Sequence, residues 1–133
     1  MLQLKPGCRA VTTDVCVPIS RLAECVVETE QDLKESPLPC PIVGHVGDGN
    51  FHVAILIDPN KPEELAEAER LNHRIVQRAL RMDGTCTGEH GVGLHKMQFM
   101  LDEHGEDALA LMRSLKHAFD PNNILNPGKI IAW

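Results

Sequence analysis

Apolar positions along the chain change period several times, and each change marks an element. Val15 and Val17 alternate through TDVCVP and stop at Pro18, the pattern of a short strand ended by a residue that cannot donate to a ladder. In RLAECVVETEQDLKES, Leu22, Ala23, Val26, Val27 and Leu33 fall at helical spacing, with Ser20 as the expected N-cap and Pro37 and Pro39 closing the segment. CPIVGHV and FHVAILID are rich in Val, Ile and Leu and flank GDGN, which predicts an antiparallel hairpin over 40–46 and 51–58. After Pro59, KPEELAEAERLNHRIVQRALRMDG returns to the helical period through Leu65, Ala68, Leu71, Ile75, Ala79 and Met82. Pro62 and the glutamates behind it suit a first turn, and Gly84 is the expected stop. In TCTGEHGVG, the glycines at 88, 91 and 93 predict a structured loop that needs close backbone approach or positive φ. A short helix over 94–101 and a last helix over 106–118 follow, ending at Asp120-Pro121. The tail NNILNPGKIIAW is read as irregular with a short extended end.

Too few strands and too much antiparallel pairing exclude a doubly wound sheet. The expected fold is α+β, a small antiparallel sheet with helices on one face. At 133 residues, one compact unit is expected. No apolar run approaches the length of a transmembrane helix, and no targeting segment is legible in MLQLKPGCRA. The formal net charge is -6, and no basic face is interleaved with aromatic residues, which argues against nucleic acid as a partner. The 5 cysteines include no C-x-x-C pair and read as reduced thiols, with Cys16 and Cys25 packing as small apolar residues.

The chemistry concentrates in GHVGDGNFH and GEHGVG. His45 and His52 flank the hairpin turn, where their imidazoles can converge on one face. Two imidazoles and a carboxylate form a common ligand set for a divalent ion, and Glu89, set among glycines, is the natural third member. Asp48 is a further candidate that the D-G turn explains equally well. His90, beside Glu89, is a candidate general base, because a nearby cation disfavours its protonated form. His73, His95, His104 and His117 are scattered along helical segments and read as ordinary surface residues. GEHGVG is followed by Leu94-His95 and therefore is not a phosphate loop; G-x-S-x-G and H-E-x-x-H are both missing from the sequence.

Taken in order, GHVGDGNFH, GTCTGEHGVG and FDPNNILNPGKI resemble the C-terminal part of the flavin-linked D-2-hydroxy-acid dehydrogenases, over residues 12–131. The likeness is strongest to the mitochondrial branch of that family that oxidises D-lactate. The resemblance implies that His45, His52 and Glu89 hold zinc or manganese, that His90 is the catalytic base, and that Asn50 and Asn126 lie beside the flavin. Lys129 is a weaker candidate in the same tail. It also implies FAD bound mainly by an N-terminal domain that residues 1–133 do not include. A small 2-hydroxy-acid substrate, an acceptor such as cytochrome c or an electron-transfer flavoprotein, and a mitochondrial location complete the expectation. Thr12, Thr13 and Ala54 stand where members acting on larger dicarboxylates carry basic or polar residues, which points to a substrate of lactate's size. The alternatives are a non-catalytic fragment or short isoform, and a stand-alone metal-dependent hydrolase using the same residues.

Overall fold

The computed structural model describes residues 4–132. The chain divides into two compact units, Met1–Gly88 and Glu89–Trp133, where length alone led to one.

In the first unit, β1 (Arg9–Thr12), β2 (Val15–Cys16), α1 (Ile19–Leu33), β3 (Ile42–His45), β4 (Asn50–Ile57) and α2 (Pro62–Arg81) follow in order. The eight-residue β4 is the centre of the sheet, buried along its whole length. β3 runs antiparallel on one side of it, from Ile42 opposite Val53 to His45 opposite Asn50. β1 and β2 occupy the other side in one unbroken register, with Thr12 opposite Ala54 and Val15 opposite Phe51. They are one line of chain interrupted at Thr13-Asp14, and the Arg9–Thr12 half went unread in the sequence because RAVT is too short to show a period.

Pairing fixes the faces, since residues directly opposite point the same way and neighbours along a strand point apart. Val15, Phe51, Val53 and Ile55, each at most 1% exposed, share one face. α2 lies against β4 and β2 and turns Ala68, Leu71, Ile75 and Ala79 inward, all fully buried. Leu71 and Ile75 each contribute about 1.5–3 kcal/mol on leaving water. α1 lies against α2, where buried Arg78 donates to Thr29 Oγ1 at 3.1 Å and Asp32 Oδ2 at 2.8 Å. A buried guanidinium requires such partners, because an unpaired charge there is strongly destabilising.

Helix ends depart from expectation in two places. Pro18, not Ser20, occupies the N-cap of α1, with no side-chain cap bond, so Ser20 already lies inside the first turn. At the end of α2 the left-handed residue is Asp83, with φ 58°. Gly84 is needed for a different reason: a Cβ there would overlap the Cys16 carbonyl oxygen. Pro62 and Glu63-Glu64 open α2 as the sequence indicated.

In the second unit, a 3₁₀ turn at Met97–Phe99 leads into α3 (Met100–Phe119). Gly105, at φ 76° and ψ 167°, breaks α3 internally; the helix expected over 94–101 is turn and 3₁₀ as far as Phe99 and joins α3 only from Met100. Asp120 ends it, accepting hydrogen bonds from the Ile124 and Leu125 amides at 3.0 and 2.9 Å and from Lys116. Those bonds organise a tail with no regular element among the described residues, so the extended end does not form there; Trp133 lies outside them. No helix among the described residues is long and apolar enough to cross a membrane.

Candidate functional site

Asp14, Cys16, His45, Asn50 and His52 share the sheet face opposite the apolar one. The register requires it: Asp14 faces His52 across the ladder, Cys16 faces Asn50 from one side and His45 faces it from the other. No bulge rotates either histidine away. The connection between them is a 3₁₀ turn, Val46–Asp48, closed by Gly49 at φ 75°. Only glycine fits at 49, because a Cβ would overlap the Val17 carbonyl oxygen in addition to the left-handed strain.

The two imidazoles meet edge to face, centroids 6.0 Å apart at 85°. A ring bound to zinc has its centroid about 3.2 Å from the metal, so rings up to roughly 6.4 Å apart can share one ion. A tetrahedral arrangement brings them to about 5.2 Å, a closure of less than ~1 Å for side chains at a turn.

His52 is 7% exposed, and its orientation is determined by the interruption between β1 and β2. In a regular antiparallel pair the Val53 amide would donate to the Thr13 carbonyl. Here it donates to Thr13 Oγ1 at 2.9 Å, while the Thr13 amide still donates to the Val53 carbonyl at 3.0 Å. The Thr13 carbonyl then accepts from His52 Nδ1 at 3.0 Å. A carbonyl only accepts, so Nδ1 carries the proton and Nε2 carries the ring's lone pair. Asp14 Oδ1 stands 3.8 Å from Nδ1.

Asp14 is 1% exposed, accepting from Asn50 Nδ2 at 3.0 Å and from Thr87 Oγ1 at 3.1 Å. Asn50 Nδ2 also donates to the Val15 carbonyl at 3.0 Å. Asn50 Oδ1 is buried with no hydrogen-bond partner among the described residues, an acceptor free for a donor on a bound molecule. Gly88 passes directly over this amide; a Cβ there would overlap Asn50 Nδ2. Cys16 donates to the Asp48 carbonyl at 3.2 Å, so its thiol is a polar member of this face as well as a small filler. Burial, then Asp14 and Asp48, raise its pKa. Cys25 is fully buried, as its apolar reading required.

In the second unit Glu89 and His90 are exposed, with Glu89 Oε1 3.6 Å from His90 Nε2. Gly91 and Gly93 have φ of 79° and 53°, so the loop adopts the conformations its glycines implied. Asn126, at φ 48°, lies in the tail with Lys129; the Ile130 amide donates to the Gly93 carbonyl at 2.8 Å, tying tail to loop. Sequence reasoning thus found the histidine pair but assigned no role to Asp14, and used Thr13 only as a sign of a small substrate. The available signal was a buried-strand pattern interrupted by a hydroxyl and a carboxylate in succession.

A family model described as FAD linked oxidases, C-terminal domain, matches residues 1–130. The chain is 51% identical over 130 residues to a Danio rerio protein named probable D-lactate dehydrogenase, mitochondrial, covering 98% of this chain and 26% of that one. It is 52% identical over 128 residues to the mitochondrial D-lactate dehydrogenase (cytochrome) of Arabidopsis thaliana, covering 96% and 23%. Against the glycolate oxidase subunit GlcD of Bacillus subtilis it is 35% identical over 132 residues, covering 99% and 28%. The chain therefore spans about a quarter of the length of these curated relatives.

Proposed function

We propose a function for this chain from the family it belongs to, the C-terminal domain of FAD linked oxidases: it supplies the substrate- and metal-binding part of an enzyme that oxidises D-lactate or a similarly small D-2-hydroxy acid to the 2-oxo acid. The observation that carries the reading is the histidine pair, 6.0 Å apart on one sheet face, with His52 Nδ1 engaged by a carbonyl. That donor set fits a divalent cation, zinc or manganese, with His45 and His52 as nitrogen ligands and Glu89 as the carboxylate. A cation held there supplies Lewis acidity toward the substrate's hydroxyl and carboxylate. FAD, when bound, supplies the acceptor for the hydride from the α-carbon.

The chain's own residues do the rest. His90 takes the hydroxyl proton on a ring nitrogen, and Glu89 beside it orients that ring. Asn50 Oδ1 accepts a hydrogen bond from a flavin N–H, which its vacant acceptor supports. Asn126 lines the flavin side from the tail. Thr12, Thr13 and Ala54 bring no charge to grip a second carboxylate, in keeping with a small substrate. The relatives named as mitochondrial support the same compartment here, and cytochrome c or an electron-transfer flavoprotein is the proposed electron acceptor.

Elemental analysis of the purified chain tests the site: about one zinc or manganese per chain is expected, lost in the His45→Ala, His52→Ala, Glu89→Ala variant. A folded chain without metal refutes the ligand assignment. In the flavin-loaded enzyme, D-lactate should bleach the flavin's visible absorbance faster than D-2-hydroxyglutarate does; the reverse order refutes the substrate assignment.

A further inference from the structure

We infer that the Thr13-Asp14 interruption is a positioning device that holds His52 in one tautomer and one orientation, with the proton on Nδ1 and the lone pair on Nε2. The inference rests on the metal reading above for its purpose, but its geometry stands on the strand pairing alone.

A continuous strand would use the Thr13 carbonyl twice, once for the Val53 amide and once for His52. The Thr13 hydroxyl removes that conflict by taking the Val53 amide itself, at 2.9 Å. The carbonyl is thereby committed to His52 Nδ1 at 3.0 Å. Asp14, directly opposite His52 in the register and 3.8 Å from the same nitrogen, adds a negative charge on the protonated side of the ring. Its carboxylate is itself held by Asn50 Nδ2 and Thr87 Oγ1, so it does not rotate away. Carbonyl and carboxylate therefore both favour a proton on Nδ1, which puts the ring's lone pair on Nε2, the nitrogen the metal reading uses. Outer partners of this kind fix ring orientation and raise ligand basicity, and losing one lowers metal affinity 10–100-fold. Thr13 and Asp14 act through His52, and neither is assigned as a ligand.

Threonine 13 allows a sharp test, because valine matches its shape without the hydroxyl and serine keeps the hydroxyl without the methyl. The probes are zinc, titrated against a chelator of known affinity, and ¹⁵N imidazole NMR of the metal-free chain. Wild-type His52 should be protonated on Nδ1. Thr13→Val should lose that signature and bind zinc roughly 10–100-fold more weakly, whereas Thr13→Ser should stay within about threefold of wild type. Asp14→Asn should weaken zinc in the same direction. Unchanged His52 resonances and zinc affinity in Thr13→Val overturn the inference. A wild-type His52 protonated on Nε2 overturns it without any variant, so a Thr13→Val chain that does not fold still leaves a decisive measurement. If no zinc binds to wild type, the metal reading fails, while the NMR comparison still decides the positioning role.

Discussion

Replacing Gly88 by alanine tests whether the buried amide of Asn50 is as tightly enclosed as the geometry requires. The φ of Gly88 is not in the left-handed region, so alanine meets no backbone strain. The cost comes from the added Cβ, which would overlap Asn50 Nδ2 and lie 2.9 Å from Asp14 Oδ1. Asn50 must swing away, breaking its bonds to the Asp14 carboxylate and the Val15 carbonyl, both 3.0 Å. A hydrogen bond to a charged group is worth about 1.5–3 kcal/mol and a neutral one about 0.5–1.5 kcal/mol. Lower entropy of the unfolded alanine chain returns about 0.4–1 kcal/mol. The expected net loss is roughly 1–4 kcal/mol, read as a lower urea midpoint with unchanged slope by far-UV circular dichroism. Gly47→Ala is the internal control, since it has open space around it and no positive φ, and should gain only the entropic term of about 0.4–1 kcal/mol. Equal midpoints for the two variants would refute the enclosure of Asn50 and, with it, the argument that its vacant Oδ1 is preorganised.

Acid should expose a second feature. Hydrogen bonds from Lys5 and then the Asp58 amide hold the Glu64 carboxyl at about 2, below its ordinary 4.5. Its folded pKa is depressed, so its contribution is complete above the unfolded value and fades as pH falls from about 4.5 to about 2; Glu64→Gln should flatten the pH–stability curve in that window. Thiol labelling probes the sheet edge: burial and then Glu67 push Cys40 up to about 11, so its alkylation rate should rise about tenfold per pH unit from pH 8 to near 11. A plateau near pH 9, followed by mass spectrometry of the Cys40 peptide, would contradict that environment.

Element types were legible along the chain because period and punctuation are local properties. The run from Leu65 to Met82 repeats every three to four residues behind Pro62, and α2 formed there. GDGN between two aliphatic runs formed a hairpin for the same reason, and the convergence of His45 and His52 follows once that register is set. The break in α3 at Gly105 falls in the gap left between the helices read over 94–101 and 106–118. The choice between Ser20 and Pro18 as N-cap depends on the direction in which the chain leaves β2, which no local pattern records. Thr13 and Asp14 are the clearest case of what tertiary structure decided. Their roles exist only because β4 lies beside them, 39 residues further along for the contact with His52, and offers an amide and an imidazole that compete for one carbonyl. Local propensity sees a threonine and an aspartate in a strand; only the pairing of distant backbone determines which of their atoms are left to hold a histidine in place.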